Sequence, residues 1–447
     1  MMQAWFQKAK LGIFIHWGIY AVNGIAESWS FGQGRISYDD YMKQLDGFTA
    51  RKFDPEQWAA LFREAGARYA VLTSKHHDGV ALFDTKYTDL NTVKKTPAGR
   101  DLIAPYCKAL KEAGLKTGIY FTNTDWSDLD NMQVILNKSA EEIEALRHEK
   151  TNFSAIWQEV IEASKKTEAV TTPEKEAAWQ RFMERYRGEI RELLENYGGV
   201  DLLWFDVMLA RNGYSWETQK VREMIQAISP QTVINGRLLD AGDYFTPELY
   251  IPLRAPEGPW ELCTTFNDSW GYQPQDRHFK DIRQIVRMFV ECISKGGNML
   301  ISVGPDAEGA IPPECEAQMK ALGRWTHQYE EAIYEPGKGI GTEYFAGGTT
   351  LSEDRQTLYL FVYDKPYRQV MLNGIRNKIR RVTSLKNGRE LSWSVTGGAS
   401  WVNMPGCIWI DTKEEDLDDV CTVLKVELEG AIDLVDPKGQ EESVGES

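Results

Sequence analysis

The stretch Asp201-Leu202-Leu203-Trp204-Phe205-Asp206 decides the fold. Its apolar run reads as a buried strand that delivers a carboxylate, Asp206, at its C-terminal end. In a barrel of parallel strands that end is the functional face, so an acid there reads as catalytic. Burial of Trp204 and Phe205 is expected to hold Asp206 in one orientation. The competing reading is an Asp that caps the following helix.

The flanking chain favours the barrel. Apolar runs at 11–17, 69–74, 116–122, 201–206, 232–235 and 298–303 alternate with amphipathic helices, the signature of parallel α/β structure. The helices are well punctuated. Asp54-Pro55-Glu56-Gln57 supplies an N-cap, a first-turn Pro and a capping-box partner; Trp58, Leu61, Phe62 and Ala65 then share a face, and Gly66 stops the helix. Segments 101–114 and 187–198 repeat the scheme. Between 125 and 187 lies a charged insertion of helical composition, read either as a wall of the active-site mouth or as a solvated excursion.

After about residue 336 the pattern changes to period two, with strands expected at 357–362, 369–372, 408–410 and 423–426. The sequence thus predicts an α/β chain: a (β/α)8-like TIM barrel over 1–335, followed by a small C-terminal antiparallel β-sandwich over 336–447. The tail from Pro437 is polar and reads as frayed.

Composition narrows the function. A chain of 447 residues with 42% hydrophobic and 26% charged residues is globular and large enough for a barrel plus a smaller domain. Its net charge of −15 argues against nucleic acid as a partner, since such binding neutralises phosphates with Lys and Arg. No run approaches a membrane span. The N-terminus lacks the basic and apolar regions of a signal peptide, so a cytoplasmic location is expected. Six Cys residues show no metal-ligand spacing and read as reduced thiols. The 15 Trp residues suit stacking on sugar rings, although most belong in a core. A homo-oligomer is compatible with all of this.

Reactive side chains gather at the expected strand ends: His16, then Lys75-His76-His77-Asp78, then Tyr120, Asp206 and Arg237. Imidazole both donates and accepts, and Arg offers a fork of donors, which suits a ligand rich in hydroxyls. A metal site is the weaker reading, because adjacent His76 and His77 on an extended segment point to opposite sides. No cofactor motif is present. Two carboxylates suffice for glycoside hydrolysis, one attacking or activating water and one protonating the leaving oxygen. Asp206 is the first; Glu248, Glu257 and Glu261 compete for the second, and composition does not choose among them.

At these residues the chain resembles the α-L-fucosidases of glycoside hydrolase family 29. The resemblance rests on Gly12-Ile13-Phe14-Ile15-His16-Trp17-Gly18, Lys75-His76-His77-Asp78-Gly79, Leu203-Trp204-Phe205-Asp206, Ser269-Trp270-Gly271-Tyr272 and Gly296-Gly297-Asn298-Met299-Leu300. It implies a retaining exo-α-L-fucosidase acting on fucosylated glycans or glycoconjugates, with no cofactor and no metal. Asp206 matches the nucleophile and Glu248 best matches the acid/base. His16, His76, His77, Tyr120, Trp204 and Arg237 match sugar-contacting or pocket positions, and Trp270 an aromatic wall for the fucose methyl. Glu27 and Trp29 match a further sugar-contacting pair, and Glu261 a residue that contacts sugar or orients a loop. Val207 and Leu238-Leu239 depart from the family pattern on the leaving-group side. A silent fucose-binding barrel and a metal-dependent barrel hydrolase are the rival readings.

Overall fold

The computed structural model describes residues 2–164, 172–207 and 214–437. The end of the expected tail, 438–447, and part of the insertion, 165–171, lie outside the described residues. Seven parallel strands form one sheet in the order β5-β4-β3-β2-β1-β7-β6. They are β1 (Leu11–Ile15), β2 (Tyr69–Lys75), β3 (Lys116–Thr122), β4 (Leu202–Asp206), β5 (Val233–Ile234), β6 (Glu261–Thr265) and β7 (Asn298–Val303).

The eighth stave is irregular. Residues 243–249 run between the two edge strands and bond to both, through Asp243 N to Ile234 O at 2.7 Å and Cys263 N to Pro247 O at 3.0 Å. Parallel bridges Asn235–Tyr244, Phe245–Trp260 and Glu248–Cys263 close the ring. Pro247 cannot donate to a ladder, which keeps this stave from becoming a regular strand.

Side-chain alternation follows the closure. Phe14, Val71, Tyr120, Leu202, Trp204, Cys263 and Leu300 share an inner cluster. Ile13, Ile15, Leu72, Ile119, Leu203 and Phe205 join the larger outer cluster beneath the helices. Asp206 therefore continues the inward series Leu202, Trp204. Phe205, fully buried as expected, anchors the strand from outside.

The helices fall largely where expected. Asp54 Oδ1 accepts from Gln57 N at 2.9 Å ahead of helix Pro55–Glu64, the donor half of the expected box. One helix, Pro173–Glu195, joins the end of the insertion to the segment expected as a separate helix from 187. The rest of the insertion supplies Leu129–Ile135, Ala140–Arg147 and Phe153–Ser164. Among the described residues no helix is long and apolar enough to cross a membrane.

Antiparallel pairing begins at β8 (Gly337–Lys338). It continues with β9 (Gly348–Leu351), β10 (Thr357–Val362), β11 (Gln369–Leu372), β12 (Ile379–Ser384), β13 (Trp393–Thr396), β14 (Cys407–Asp411) and β15 (Thr422–Leu428). Two sheets, β12-β15-β10-β9-β8 and β11-β14-β13, enclose a core of Leu358, Leu360, Leu372, Val382, Ile410, Leu424 and Val426. None of the six cysteines is paired.

Candidate active site

At the C-terminal end of the barrel a cavity of about 80 Å³ is lined by Phe14, His16, Glu27, Trp29, His76, Trp204, Asp206, Val207, Arg237, Glu248, Cys263 and Trp270. Arg237 organises it. Its Nη1 donates to Asp206 Oδ1 at 2.5 Å and its Nη2 to Glu248 Oε2 at 2.5 Å. The guanidinium also lies 4.5 Å from the Trp204 ring centroid, a cation–π contact that fixes its plane.

Asp206 is surrounded by donors. Tyr120 Oη donates to Oδ2 at 2.9 Å, and His77 Nε2 stands 3.6 Å from the same oxygen. Burial raises an acid, but here Arg237 and then His77 outweigh it, holding Asp206 well below the usual carboxylate range. The group is an anion at every working pH. Tyr120 and His77 are thus brought to Asp206 rather than to the cavity surface.

The two lining histidines are each held at Nδ1 by a serine hydroxyl. Ser302 Oγ donates to Trp270 O at 3.2 Å, so it accepts from His16 Nδ1 at 2.8 Å and leaves His16 Nε2 as an acceptor. Ser28 Oγ accepts from Asp78 N at 2.8 Å and shares a 2.6 Å hydrogen bond with His76 Nδ1, which leaves His76 Nε2 turned to the cavity. Burial keeps both rings neutral: His16 is pulled down to about 3 and His76 well below its ordinary value. Ser28 and Ser302 were missed in the sequence, where Ser28 sits unremarked between Glu27 and Trp29.

Glu27 is buried, with Oε1 accepting from Gly271 N at 2.5 Å; burial raises its carboxyl. That bond ties it to the Trp270 loop. Trp270 stands over His16 with ring centroids 5.1 Å apart. Trp29 packs edge-on to Trp126 at 5.0 Å, and Trp126 stacks on His77 at 4.7 Å. The insertion therefore backs the site through Trp126, and among the described residues it contributes none to the cavity lining.

Three expectations are corrected. Strand β2 ends at Lys75, so His76 and His77 occupy a turn, and their rings lie 4.5 Å apart rather than on opposite sides. Glu261 does not contact the cavity. It opens β6, one layer beneath Cys263, and its carboxylate accepts from Trp204 Nε1 at 2.9 Å, Tyr244 Oη at 3.1 Å and Tyr69 Oη. Glu257 is exposed in the loop leading into β6, at the other end of the barrel, so of the three candidate acids only Glu248 lines the cavity.

A curled parallel barrel with two carboxylates on one guanidinium, beside neutral imidazoles and an indole wall, belongs to a sugar-cleaving hydrolase. Residues 1–331 match the family described as alpha-L-fucosidase, and the chain belongs to that family. The tissue alpha-L-fucosidase of Homo sapiens is 28% identical over 361 residues, 74% of this chain and 69% of that protein. Alpha-L-fucosidase isoenzyme 1 from Paenibacillus thiaminolyticus superposes with a TM-score of 0.79 at 31% identity, covering 95% of this chain and 98% of that one. Thermotoga maritima alpha-fucosidase, solved with a mechanism-based inhibitor, gives 0.74 at 27% identity over 95% and 96%. The chain is accordingly a glycoside hydrolase acting on α-L-fucosides.

Proposed function

We propose that this hydrolase is a retaining exo-α-L-fucosidase in which Asp206 is the nucleophile and Glu248 the acid/base. The supporting observation is the Arg237 bridge between them. Because one planar guanidinium carries both carboxylates, their bonded oxygens lie within about 7 Å of each other, a range that includes the roughly 5–5.5 Å of retaining pairs. Asp206, permanently charged, attacks the anomeric carbon while Glu248 protonates the glycosidic oxygen. The fucosyl ester is then cleaved by water that gives its proton to Glu248. Forming the ester removes the Asp206 charge, so Arg237 is then neutralised by Glu248 alone. His16 and His76 take one ring hydroxyl each, His16 as acceptor, and Trp270 faces the C6 methyl.

The reading is tested with 4-nitrophenyl α-L-fucoside and a 2-fluoro-fucosyl fluoride trap. Asp206→Ala is expected to lose at least about 10³-fold in turnover while still binding fucose. The trap should label the wild type on the peptide that carries Asp206. Glu248→Ala is expected to spare the first step with this good leaving group, and azide should restore the second as fucosyl azide. Wild-type turnover in Asp206→Ala, or a label elsewhere, refutes the assignment. A wild type that binds fucose without releasing 4-nitrophenol points to the silent binder.

Metal assistance makes a different prediction, loss of activity on chelation. Among the described residues one trio could share an ion, Asp268, Asp276 and His278, on a surface loop and outside the cavity lining. Full activity in EDTA is expected.

A further inference from the structure

The opposite end of the barrel holds a second cavity, of about 520 Å³, at the N-terminal ends of β1, β6 and β7. Its wall includes the cations Lys8, Lys10, Lys338 and Arg355 and the carboxylates Glu335 and Glu353. That is a surplus of two positive charges in a chain whose net charge is −15.

Lys10 is the unusual member. It is only 5% exposed and adopts φ +60° with ψ −49°, a conformation that Cβ-bearing residues rarely take. Its backbone is pinned there, with N–H donating to Asn298 Oδ1 at 3.1 Å while Asn298 Nδ2 donates to Phe6 O at 2.7 Å. Yet among the described residues no carboxylate lies within 4 Å of the Lys10, Lys338 or Arg355 cation. Lys8 alone reaches one, Glu335 Oε2 at 3.7 Å. Burying an ammonium without a counter-charge is costly, and Lys10 lines the cavity with its charge unpaired while its backbone is held in a strained conformation.

We infer that this cavity binds a doubly charged oxyanion, phosphate or sulfate, either free or carried on a sugar. Two surplus cations match two negative charges, and Lys and Arg together provide the charge-assisted donors such an anion accepts. The ligand spans two parts of the molecule. Lys10 leads directly into β1, whereas Lys338 lies in β8 and Arg355 in the turn before β10 of the sandwich. An anion there clamps the barrel floor to the sandwich and stabilises the fold, with Asp206 at the far end left undisturbed. Burial and the neighbouring Lys8 pull the Lys10 ammonium down to about 8; an anion reverses this, so binding at pH 8–9 takes up a proton. The other charged groups facing Lys10 are Lys338, Arg355, Glu335 and Glu353, from β8 and the segments flanking it.

Titration calorimetry at constant ionic strength tests this, with inorganic phosphate, inorganic sulfate and N-acetylglucosamine 6-sulfate as probes. Wild type should bind one anion per chain, with proton uptake at pH 8.5 detected from buffers of different ionisation enthalpy. Lys10→Met and Arg355→Ala should each weaken binding about tenfold or more, the effect of removing one charge-assisted bond. Their kcat/KM on 4-nitrophenyl α-L-fucoside should stay within about twofold of wild type, because the cavity is remote from the chemistry. Tighter binding of the sugar sulfate identifies a glycan-borne ligand, and tighter binding of the inorganic ions a free one. If Lys10→Met fails to fold, the exposed Arg355→Ala and the wild-type titration carry the test. Absence of saturable binding to folded wild type refutes the site. So does a melting-temperature rise in phosphate that is equal in wild type and variants, since such salts stabilise proteins generally.

Discussion

The indole nitrogen of Trp204 donates to Glu261 Oε1 at 2.9 Å, suspending a wall of the cavity at the C-terminal end from a carboxylate buried in the barrel's interior. Tyr69 and Tyr244 complete the bracket, so Glu261 is a positioning residue.

Its burial pushes the carboxyl up to about 7. A raised acid is protonated when folded and ionised when unfolded across the window from roughly pH 4.5 to 7, so its contribution falls as pH rises through that window. The whole span amounts to about 3 kcal/mol. His16 and His76 act oppositely: lowered below the unfolded value near 6.5, they cost stability as pH falls. The difference between wild type and Glu261→Gln isolates the carboxyl. Urea denaturation at pH 5 and pH 7.5 should show wild type losing about 2–3 kcal/mol more than Glu261→Gln over that interval. Parallel curves would refute the assignment. Azide should not restore the variant's activity, which distinguishes a brace from an acid/base.

Arg237 sets the protonation of Asp206. Replacing it with Met removes the main force that offsets burial, so the Asp206 carboxyl should climb into or above the ordinary range. Wild-type kcat/KM should show no acid limb from Asp206; in Arg237→Met a new limb should appear above about pH 4, with a fall of about 10²–10³-fold at its optimum. Arg237→Lys restores charge but cannot hold both carboxylates through a planar fork, and should recover only part of the loss. A pH profile unchanged in shape would show that Arg237 does not tune the nucleophile.

Gly79 closes the turn that carries His76 and His77. Its φ is +79°, and a Cβ there would fall on Ser127 Oγ and Asp125 Oδ1. Asp125 is the centre of a buried charge network, accepting from Lys75 at 3.1 Å and Arg185 at 2.9 Å, while Lys75 also reaches Glu189 at 2.5 Å. Displacing it strands buried charges. Gly79→Ala should cost about 2–4 kcal/mol in chemical denaturation and lower kcat/KM as the His76 turn shifts. A loss under about 1 kcal/mol would contradict this account.

Legibility in the sequence followed local physics. Strands β1 to β5 and β7 were evident because both faces of a barrel strand are buried, which leaves near-continuous apolar runs. Strand β6 was not: Glu261-Leu262-Cys263-Thr264-Thr265 points a carboxylate and thiol inward and reads as polar. The stave carrying Glu248 contains Pro247 and has no strand pattern at all. Asp206 and Arg237 announced themselves because they stand at the ends of apolar runs. The choice among Glu248, Glu257 and Glu261 depended on barrel depth, which period and composition do not encode. Ser28 and Ser302 were equally silent, since a hydroxyl that holds an imidazole has no sequence signature.

Trp270 offers the sharpest test of sugar specificity. It stands 5.1 Å from His16 and 6.2 Å from Phe14, ring to ring, and the Ser302 hydroxyl ties its carbonyl to the His16 ring. If the indole faces the C6 methyl of fucose, it discriminates against the 6-hydroxy sugar, L-galactose, by offering an apolar surface that gives a hydroxyl no partner. One such group is worth about 1–3 kcal/mol, a factor of roughly 10–200 in relative kcat/KM. Trp270→Ala should lower kcat/KM for the aryl α-L-fucoside by more than for the aryl α-L-galactoside, so the ratio of the two narrows by about tenfold. A uniform fall for both substrates would place Trp270 elsewhere on the ring. Because Trp270 is only partly buried and stands at the cavity rim, the variant should fold, and the ratio is read without correction for the active fraction of enzyme.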